Sequence, residues 1–202
     1  MFKQLIFYTN PMSRARIVRW MLEEINVPYE TKILNYGTTM KDPEYLAINP
    51  MGKVPAIQHG NIVVTETAAI CAYLAEAFPE AKLMPINDEE RALYYRWLFF
   101  AAGPVVEALD IKNINPIITP KLQRSLGCGN PHDTFDVLAK AVSKSTYIVG
   151  DRFTAADVYI ASYISFCIYT GELEKLPEFV AYCDRTCNRP ARLRAIEIDG
   201  AL

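Results

Sequence analysis

Two hydroxyl side chains flank the start of the first predicted helix, where they could act on an acidic group of a bound ligand. Tyr8 ends the apolar run Leu5–Phe7, which predicts a buried strand, and Ser13 lies in the turn that leads into the helix. A hydroxyl that donates to an anion at the positive end of a helix dipole lowers the pKa of the ionising group. A thiol, with an ordinary pKa of about 8.5, is a group that such a donor would convert to a reactive thiolate.

Three arginines add positive charge to the same predicted helix. Arg14, Arg16 and Arg19 lie in its first half, and Glu23 and Glu24 lie near its end. Charged side chains of opposite sign on one surface helix commonly stay solvated or pair with each other. We therefore expect most of the three arginines to be solvated or paired with the two glutamates, and we assign them no catalytic role.

A second stretch, from Asn49 to Ile70, combines an exposed backbone segment with a helix start. Val54-Pro55 is followed at once by a short apolar strand, and a cis bond there would turn the N–H and C=O groups of Val54 outward. An extended peptide ligand could then pair with them as an additional strand would. Glu66 and Thr67 open an Ala-rich helix, so a carboxylate, a hydroxyl and helix N–H groups converge there. This combination suits a small acidic peptide.

Strand and helix signals alternate in the order βαβ–α–ββα through the first eighty residues. Apolar runs predict the strands, three- and four-residue apolar spacing predicts the helices, and Gly60-Asn61 predicts the turn of a β-hairpin. This order is that of a thioredoxin-like α/β domain, but the Cys-x-x-Cys of a redox thioredoxin is missing after the first strand, which disfavours dithiol chemistry. The predicted strands span residues 5–8, 29–34, 56–58 and 62–65, and the predicted helices end at residues 25, 48 and 78.

The remainder of the chain carries only helical patterns, which predicts an all-α second domain. We place the thioredoxin-like domain at residues 1–80, a linker at 81–87 and the helical domain at 88–202. Thr154 and Asp157 form a capping box at the start of a central helix, because a side chain three residues into a helix can bond back to its N-cap.

The second domain begins with a long helix from Asp88 to about residue 109. Pro104 lies inside this helix and should kink it by removing a backbone hydrogen bond. Its aromatic side chains Tyr94, Trp97 and Phe100 are candidates for an apolar substrate pocket. Core packing and a subunit contact would explain most of the same aromatic band.

Composition excludes several functional classes. The 202-residue chain has a net charge of −2 and no run of Lys or Arg, which argues against a nucleic-acid partner. Its first residues lack the apolar core of a signal peptide, and the longest charge-free run, Val158–Gly171, is too short to span a membrane. Five cysteines without framework spacing indicate a reducing, cytoplasmic location. Cys183 and Cys187 lie one helical turn apart with no histidine nearby, so we expect no metal site.

Over essentially its full length the chain resembles the glutathione S-transferase family. Asn-Pro-x-Gly-Lys-Val-Pro, the hairpin and Glu-Thr-x-Ala-Ile stand in the order and spacing that this family uses. The resemblance implies that Val54, before Pro55, pairs with the cysteinyl part of glutathione. It also implies that Glu66 and Thr67 hold the γ-glutamyl end, and we expect Lys53 near the glycyl end.

The resemblance implies a cytosolic detoxification enzyme that conjugates the glutathione thiolate to small electrophiles. It also implies a homodimer, formed across the helices that begin at Glu66 and Asp88. A glutathione-dependent isomerase or peroxidase would use the same binding residues and stays open as an alternative. A non-catalytic binding or regulatory relative is a further alternative, which the retained hydroxyls and Glu66-Thr67 pair disfavour.

Ser13 and Tyr8 remain competing candidates for the group that activates the thiol. Ser13 stands where bacterial Cys-type transferases carry their cysteine, counting back from Glu23 without a gap. Tyr8 lies six residues before Arg14, as the catalytic tyrosine does in Tyr-type members. A backbone or Asn10 donor is the third possibility, and we favour Ser13.

Overall fold

A four-stranded mixed sheet forms the centre of the first part of the chain in a computed structural model that describes residues 3–200. Its strand order is β2-β1-β3-β4. β1 (Leu5–Thr9) runs parallel to β2 (Glu30–Ile33) and antiparallel to β3 (Ala56–His59), which forms a hairpin with β4 (Ile62–Thr65). The predicted order βαβ–α–ββα is confirmed, and the arrangement is thioredoxin-like.

Three helices accompany the sheet within the predicted first domain. α1 (Ala15–Ile25) supplies the crossover that a parallel strand pair requires, α2 (Pro43–Leu46) is a single turn, and α3 (Thr67–Ala77) follows the hairpin. α1 buries its apolar stripe and ends at Asn26, which adopts the left-handed conformation typical of helix C-termini. The fully buried side chains of α1 include Val18, Trp20, Met21 and Leu22.

The last helix of the chain packs on α1. α10 (Pro190–Asp199) has its main contacts there, so the residues from Arg189 onward belong to the same compact unit as those up to Leu83. The division made from the sequence assigned this segment to the helical domain. An amphipathic pattern shows that a helix has a buried face, but the pattern does not identify the surface that covers it.

The second compact unit, Met84–Asn188, is helical. The long helix expected from Asp88 extends to Ile114 and is interrupted by a π-helical turn around Pro104, where the missing N–H breaks the regular pattern. None of the described helices is long and apolar enough to cross a membrane. The helices of this unit are α4 (Asp88–Phe100), α5 (Val106–Ile114), α6 (Pro120–Ser125), α7 (Pro131–Ser143), α8 (Ala155–Tyr169) and α9 (Pro177–Thr186).

The predicted capping box at the start of α8 is confirmed. Asp157 is fully buried, and its Oδ2 accepts hydrogen bonds from the Thr154 N–H (2.9 Å) and Oγ1 (3.0 Å). Its Oδ1 accepts from the Ile148 N–H (2.8 Å) and the Tyr182 hydroxyl (2.8 Å). Burial raises the pKa of Asp157, while these hydrogen bonds oppose that rise. The carboxylate therefore joins the start of α8 to α9 and to the loop before α8.

Asp133, a residue type that helix N-caps favour, is not the N-cap of α7. The helix begins at Pro131, and its cap is Asn130, whose side chain accepts a hydrogen bond from the His132 N–H at 3.0 Å. Asp133 lies in the first turn instead. The reason is that Pro131 occupies the first helical position, where its fixed φ favours the helix and its missing N–H costs nothing.

Candidate functional site

The sheet register brings the separate candidate segments to one edge. Tyr8 lies opposite Ala56 across β1 and β3, and Ala56 lies opposite Thr65 across β3 and β4. The turn after β1, Val54 just before β3 and Glu66 just after β4 therefore lie at the same edge of the sheet. α1 and α3 both begin there, so two helix N-termini contribute positive dipole ends to this edge.

The turn after β1 is held by Asn10, which is 8% exposed. Its Oδ1 accepts from the Met12 N–H (2.9 Å), and its Nδ2 donates to the Leu34 carbonyl (2.7 Å). Ser13 is half-buried at the start of α1, where its Oγ donates to the Asn10 carbonyl (2.7 Å) and accepts from the Ala15 N–H (3.1 Å). The Ser13 hydroxyl is thus fixed at the helix start, with its proton donated to the Asn10 carbonyl.

The Tyr8 side chain is buried against the sheet. It is 7% exposed and packs on the Tyr45 ring at a centroid distance of 5.4 Å. Its hydroxyl donates to Gln58 Oε1 at 3.3 Å. Gln58 lies two residues beyond Ala56 along β3, so the Tyr8 hydroxyl points away from the edge where Val54 lies.

The segment before β3 is a second tight turn, and it leaves the backbone groups of one residue without hydrogen-bond partners in the described part of the chain. The Lys53 carbonyl accepts from both the Tyr45 hydroxyl (2.6 Å) and Asn49 Nδ2 (2.7 Å), while the Lys53 side chain is exposed. The Val54-Pro55 peptide bond is cis. Neither the N–H nor the C=O of Val54 has a hydrogen-bond partner within residues 3–200. An extended ligand can therefore pair with Val54.

Glu66 and Thr67 form the start of α3. Glu66 is exposed and has a φ of 67°, a left-handed value that costs energy in a residue other than glycine. Such outliers cluster at binding sites. Thr67 is half-buried, and no side chain of the described part of the chain caps the helix. The first N–H groups of α3 thus remain available to an anion.

The expectation for the arginines of α1 was wrong for two of the three. Arg14 is exposed, but Arg16 and Arg19 are buried beneath α10. Arg19 Nε lies 3.1 Å from Asp199 Oδ1. The two glutamates of α1 pair instead with arginines of the last segment, Glu23 with Arg194 at 3.1 Å and Glu24 with Arg189 at 2.6 Å. These pairs arise because α10 packs on α1, which the sequence pattern did not indicate.

The three aromatic candidates of the second unit all lie on α4. Tyr94 is fully buried, Trp97 is 6% exposed, and Phe100 is partly exposed. The Trp97 and Phe100 rings meet edge to face at 5.5 Å, and the Arg96 guanidinium lies 4.4 Å from the Trp97 ring centroid. Phe100 is therefore the most accessible of these three side chains within the unit.

Three of the protein's five thiols lie in surroundings that disfavour a nucleophile. Cys71, Cys128 and Cys167 are buried, and burial raises the pKa of Cys71 to about 12. Cys183 lies on α9, Cys187 follows its last residue, and both are partly buried. Within residues 3–200, no three His, Cys, Asp or Glu side chains are grouped closely enough to hold a metal ion.

Sequence reasoning missed the residues that support the two turns. Asn49 and Tyr45, which hold the Lys53 carbonyl, were not singled out, and Asn10 was considered only as a donor to the ligand. A repeated sequence could have revealed both asparagines, because Asn-Pro-Met occurs at residues 10–12 and again at 49–51. Asparagine before proline favours a turn, since its side chain can accept from the N–H two residues later.

Comparison with known proteins assigns the chain to a family. The N-terminal domain model of glutathione S-transferases matches residues 3–76, and the C-terminal domain model matches residues 131–190. Glutathione S-transferase hmp2 of Hypomyces subiculosus is 30% identical over 186 residues, which cover 84% of this chain and 87% of that protein. Glutathione S-transferase 1 of Zea mays is 29% identical over 182 residues, 84% and 85% of the respective chains. The crystal structure of a glutathione transferase from Methylococcus capsulatus has a TM-score of 0.79 at 27% identity, with 98% of this chain and 100% of that chain covered. This chain belongs to the glutathione S-transferase family.

Proposed function

We propose that this protein is a glutathione transferase, which conjugates the thiolate of its co-substrate glutathione to small electrophiles. The unpaired backbone of Val54, at the sheet edge where α1 and α3 begin, is the observation that carries the proposal. Glutathione is a short extended peptide with negative charge at both ends. An exposed backbone edge and uncapped helix N–H groups are complementary to such a ligand.

Each part of glutathione has a partner at this edge in the proposed complex. The cysteinyl N–H and C=O pair with the backbone of Val54, and Pro55 holds that backbone in place. The γ-glutamyl end lies at Glu66 and Thr67, where the carboxylate accepts from the ammonium and the α3 N–H groups bind the α-carboxylate. Lys53, exposed beside Val54, lies near the glycyl carboxylate.

Ser13 is the proposed thiol-activating residue. Its Oγ is held at the start of α1 by the Asn10 carbonyl and the Ala15 N–H, at the same edge as Val54. The Tyr8 hydroxyl donates to Gln58, away from this edge, and Asn10 Nδ2 donates to the Leu34 carbonyl. In the proposed complex, Ser13 Oγ exchanges its bond to the Asn10 carbonyl for one to the sulfur. When Ser13 donates to the thiolate, the S–H proton has already left to solvent. The sulfur then forms a bond to the electrophilic carbon, and the leaving group departs with its electron pair.

We further propose that an apolar electrophile binds at the aromatic band of Tyr94, Trp97 and Phe100. Trp97 and Phe100 would contact it, while the fully buried Tyr94 supports them from within the helical core. Aromatic faces favour flat apolar groups such as aryl rings. A transferase that prefers such substrates would detoxify apolar electrophiles.

The proposed assembly is a cytoplasmic homodimer. The five free cysteines suit a reducing compartment. On α4, Phe99 is 73% exposed and Tyr95 is 42% exposed, which leaves aromatic surface for a second copy. A sedimentation mass near that of a single chain at micromolar concentration would overturn the dimer.

The binding proposal is tested by calorimetry on Thr67→Ala. Glutathione should bind this variant more weakly by about 1–3 kcal/mol, because a buried acceptor loses its hydroxyl partner. Thr170→Ala is the matched control, since Thr170 is an exposed threonine of the other unit. Equal dissociation constants for Thr67→Ala and the wild type would count against the site.

The reaction is tested by a steady-state panel and by pH–rate profiles. With glutathione, the enzyme should convert aryl chlorides faster than an organic hydroperoxide or a maleyl-type isomer, and a reversed order would favour the peroxidase or isomerase alternative. Ser13→Ala should lower turnover roughly 10²-fold and raise the pKa of bound glutathione, as losing an oxyanion donor does. If Tyr8→Phe shifts the profile and Ser13→Ala does not, the assignment of Ser13 is wrong.

A further inference from the structure

Arg16 connects the turn that carries Ser13 to the last helix of the chain. Its guanidinium is buried, with 9% of the residue exposed. Nη1 donates to the Pro11 carbonyl at 3.3 Å, and Nη2 donates to the Gly200 carbonyl. The planar guanidinium of arginine can hold two acceptors at a fixed distance and angle from each other, whereas the single ammonium group of lysine cannot. Arg16 therefore ties a residue two positions before Ser13 to the residue that follows α10.

The far end of this connection is itself rigidly held. Asp199, just before Gly200, accepts from Arg19 Nε at 3.1 Å, and both side chains of this ion pair are 3% exposed. Arg19 Nη1 also donates to the Tyr29 hydroxyl (2.8 Å) and to Thr31 Oγ1 (2.9 Å). A buried guanidinium that bonds a carboxylate and two hydroxyls has little freedom to move. Asp199 thus holds the end of α10, next to Gly200, against α1.

The near end determines the position of a reactive group. Asn10 fixes the turn from inside the sheet, through its bonds to Met12 and Leu34. Proline has no N–H, so Pro11 offers the turn only its carbonyl as a hydrogen-bonding group, and Arg16 binds that carbonyl. Displacement of a catalytic group by about 1 Å can cost on the order of 10²-fold in rate.

We infer that Arg16 is a positioning residue for thiol activation, which holds the Ser13 turn against the anchor formed by Asp199 and Gly200. The inference rests on the proposed function, because it requires that Ser13 donates to the glutathione sulfur. Arg16 does not touch the substrate in this scheme. It acts through the backbone at Pro11, and its loss allows the Ser13 hydroxyl to move relative to Val54.

The test measures the pKa of the glutathione thiol in the binary complex, together with kcat and KM, for two variants of Arg16. Arg16→Gln should raise that thiol pKa and lower kcat by roughly 10-fold or more, with little change in KM for glutathione, because Val54 and Thr67 are untouched. Arg16→Lys keeps the charge but loses the fork, so it should show a smaller rise of the thiol pKa in the same direction. If Arg16→Gln does not fold, Arg16→Lys decides, and an unchanged thiol pKa in that variant overturns the inference.

Arg194→Gln is the matched control. Arg194 also joins α10 to α1, through Glu23 Oε2 at 3.1 Å and the Glu23 carbonyl at 2.9 Å, but it does not contact the Ser13 turn. It should leave the thiol pKa and kcat at wild-type values even if it lowers the melting temperature. If Arg194→Gln raises the thiol pKa as much as Arg16→Gln does, general loosening of α10 explains the effect and the inference fails.

A double variant separates this inference from the proposed function. In the Ser13→Ala background, Arg16→Gln should add little further change, because a positioning residue has no effect once the group it positions is gone. Independent, additive shifts would show that Arg16 acts through its charge, which overturns the inference alone. If Ser13→Ala leaves the thiol pKa unchanged, the role of Ser13 in the proposed function fails first, and the inference fails with it.

Discussion

Two turns of the first unit share one construction and present different groups to the same edge of the sheet. Asn10-Pro11-Met12-Ser13 and Asn49-Pro50-Met51-Gly52 each begin with a buried asparagine. In both, the asparagine Oδ1 accepts from the methionine N–H, at 2.9 Å in the first turn and 3.1 Å in the second. In both, the N–H of the fourth residue donates to the asparagine carbonyl, at 3.1 and 2.8 Å. Proline at the second position pre-sets this turn.

The fourth residue makes the difference between the turns. Ser13 brings a hydroxyl to the start of α1, whereas Gly52 brings no side chain and has a φ of 57°. A Cβ at Gly52 would lie 2.6 Å from the Met40 carbonyl oxygen. The first turn thus presents a side chain, and the second brings a bare backbone close to its neighbours so that Val54 is exposed to a ligand. The same Asn-Pro-Met turn therefore presents a hydroxyl at one site and free backbone groups at the other.

The largest effect is expected when a side chain is forced into the second turn. Gly52→Ala should lower the free energy of unfolding by about 3 kcal/mol, because the left-handed φ and the contact with the Met40 backbone both oppose a Cβ. Gly37→Ala is the control, since Gly37 has a φ of 72° and open space where its Cβ would lie. Urea unfolding should show that Gly37→Ala lowers the free energy of unfolding by only about 1–2 kcal/mol. Equal losses would show that the close approach at Gly52 does not matter.

Removing each asparagine should reveal how differently the two turns are supported. Asn10→Ala leaves the Leu34 carbonyl without its donor, whereas after Asn49→Ala the Lys53 carbonyl keeps the Tyr45 hydroxyl. Urea unfolding should therefore show a loss of about 2–3 kcal/mol for Asn10→Ala and about 1–2 kcal/mol for Asn49→Ala. The reverse order would mean that the second turn depends more on its asparagine than the hydrogen bonds indicate.

The hydroxyl that distinguishes the first turn should matter far more for chemistry than for stability. Ser13→Ala removes the bonds to the Asn10 carbonyl and the Ala15 N–H, but it keeps the turn itself. We expect the free energy of unfolding to fall by only about 1 kcal/mol, as for the loss of a helix cap. A loss of several kcal/mol would make the kinetic effect of this variant a consequence of unfolding.

Features that depend on neighbouring residues could be predicted from the sequence. The hairpin at Gly60-Asn61 and the capping box of Thr154 and Asp157 each have their interacting partners within a few residues, so the pattern contains the whole interaction. Asn10 and Asn49 belong to the same class, and the repeated Asn-Pro-Met would have sufficed to find them.

Features that depend on distant partners were missed. Arg19 and Asp199 are separated by 180 residues, and nothing in either local sequence identifies the other. The sequence pattern of α10 is equally compatible with packing in the helical domain, to which we assigned it. With α10 in that domain, the expected partners of the α1 arginines were Glu23 and Glu24 on the same helix. The burial of Arg16 and Arg19 follows from one long-range contact, between α1 and α10.

The smallest effect concerns Tyr45, whose hydroxyl supports the second turn and has no counterpart in the first. Burial raises the pKa of Tyr45 to about 12, while the unfolded chain should titrate at about pH 10. Between these values the folded protein holds a proton that the unfolded chain has lost, so rising pH favours unfolding.

Tyr45→Phe should cost about 1 kcal/mol at neutral pH, since the Lys53 carbonyl keeps Asn49 as a donor. The stability advantage of the wild type over Tyr45→Phe should stay constant up to about pH 9 and shrink above about pH 10. Urea unfolding of both proteins across this range measures it, and Tyr29 titrates alike in both, so its contribution cancels. An advantage that stays constant through pH 11 would mean that the folded protein does not raise the pKa of Tyr45, which contradicts the shielding of its hydroxyl from solvent.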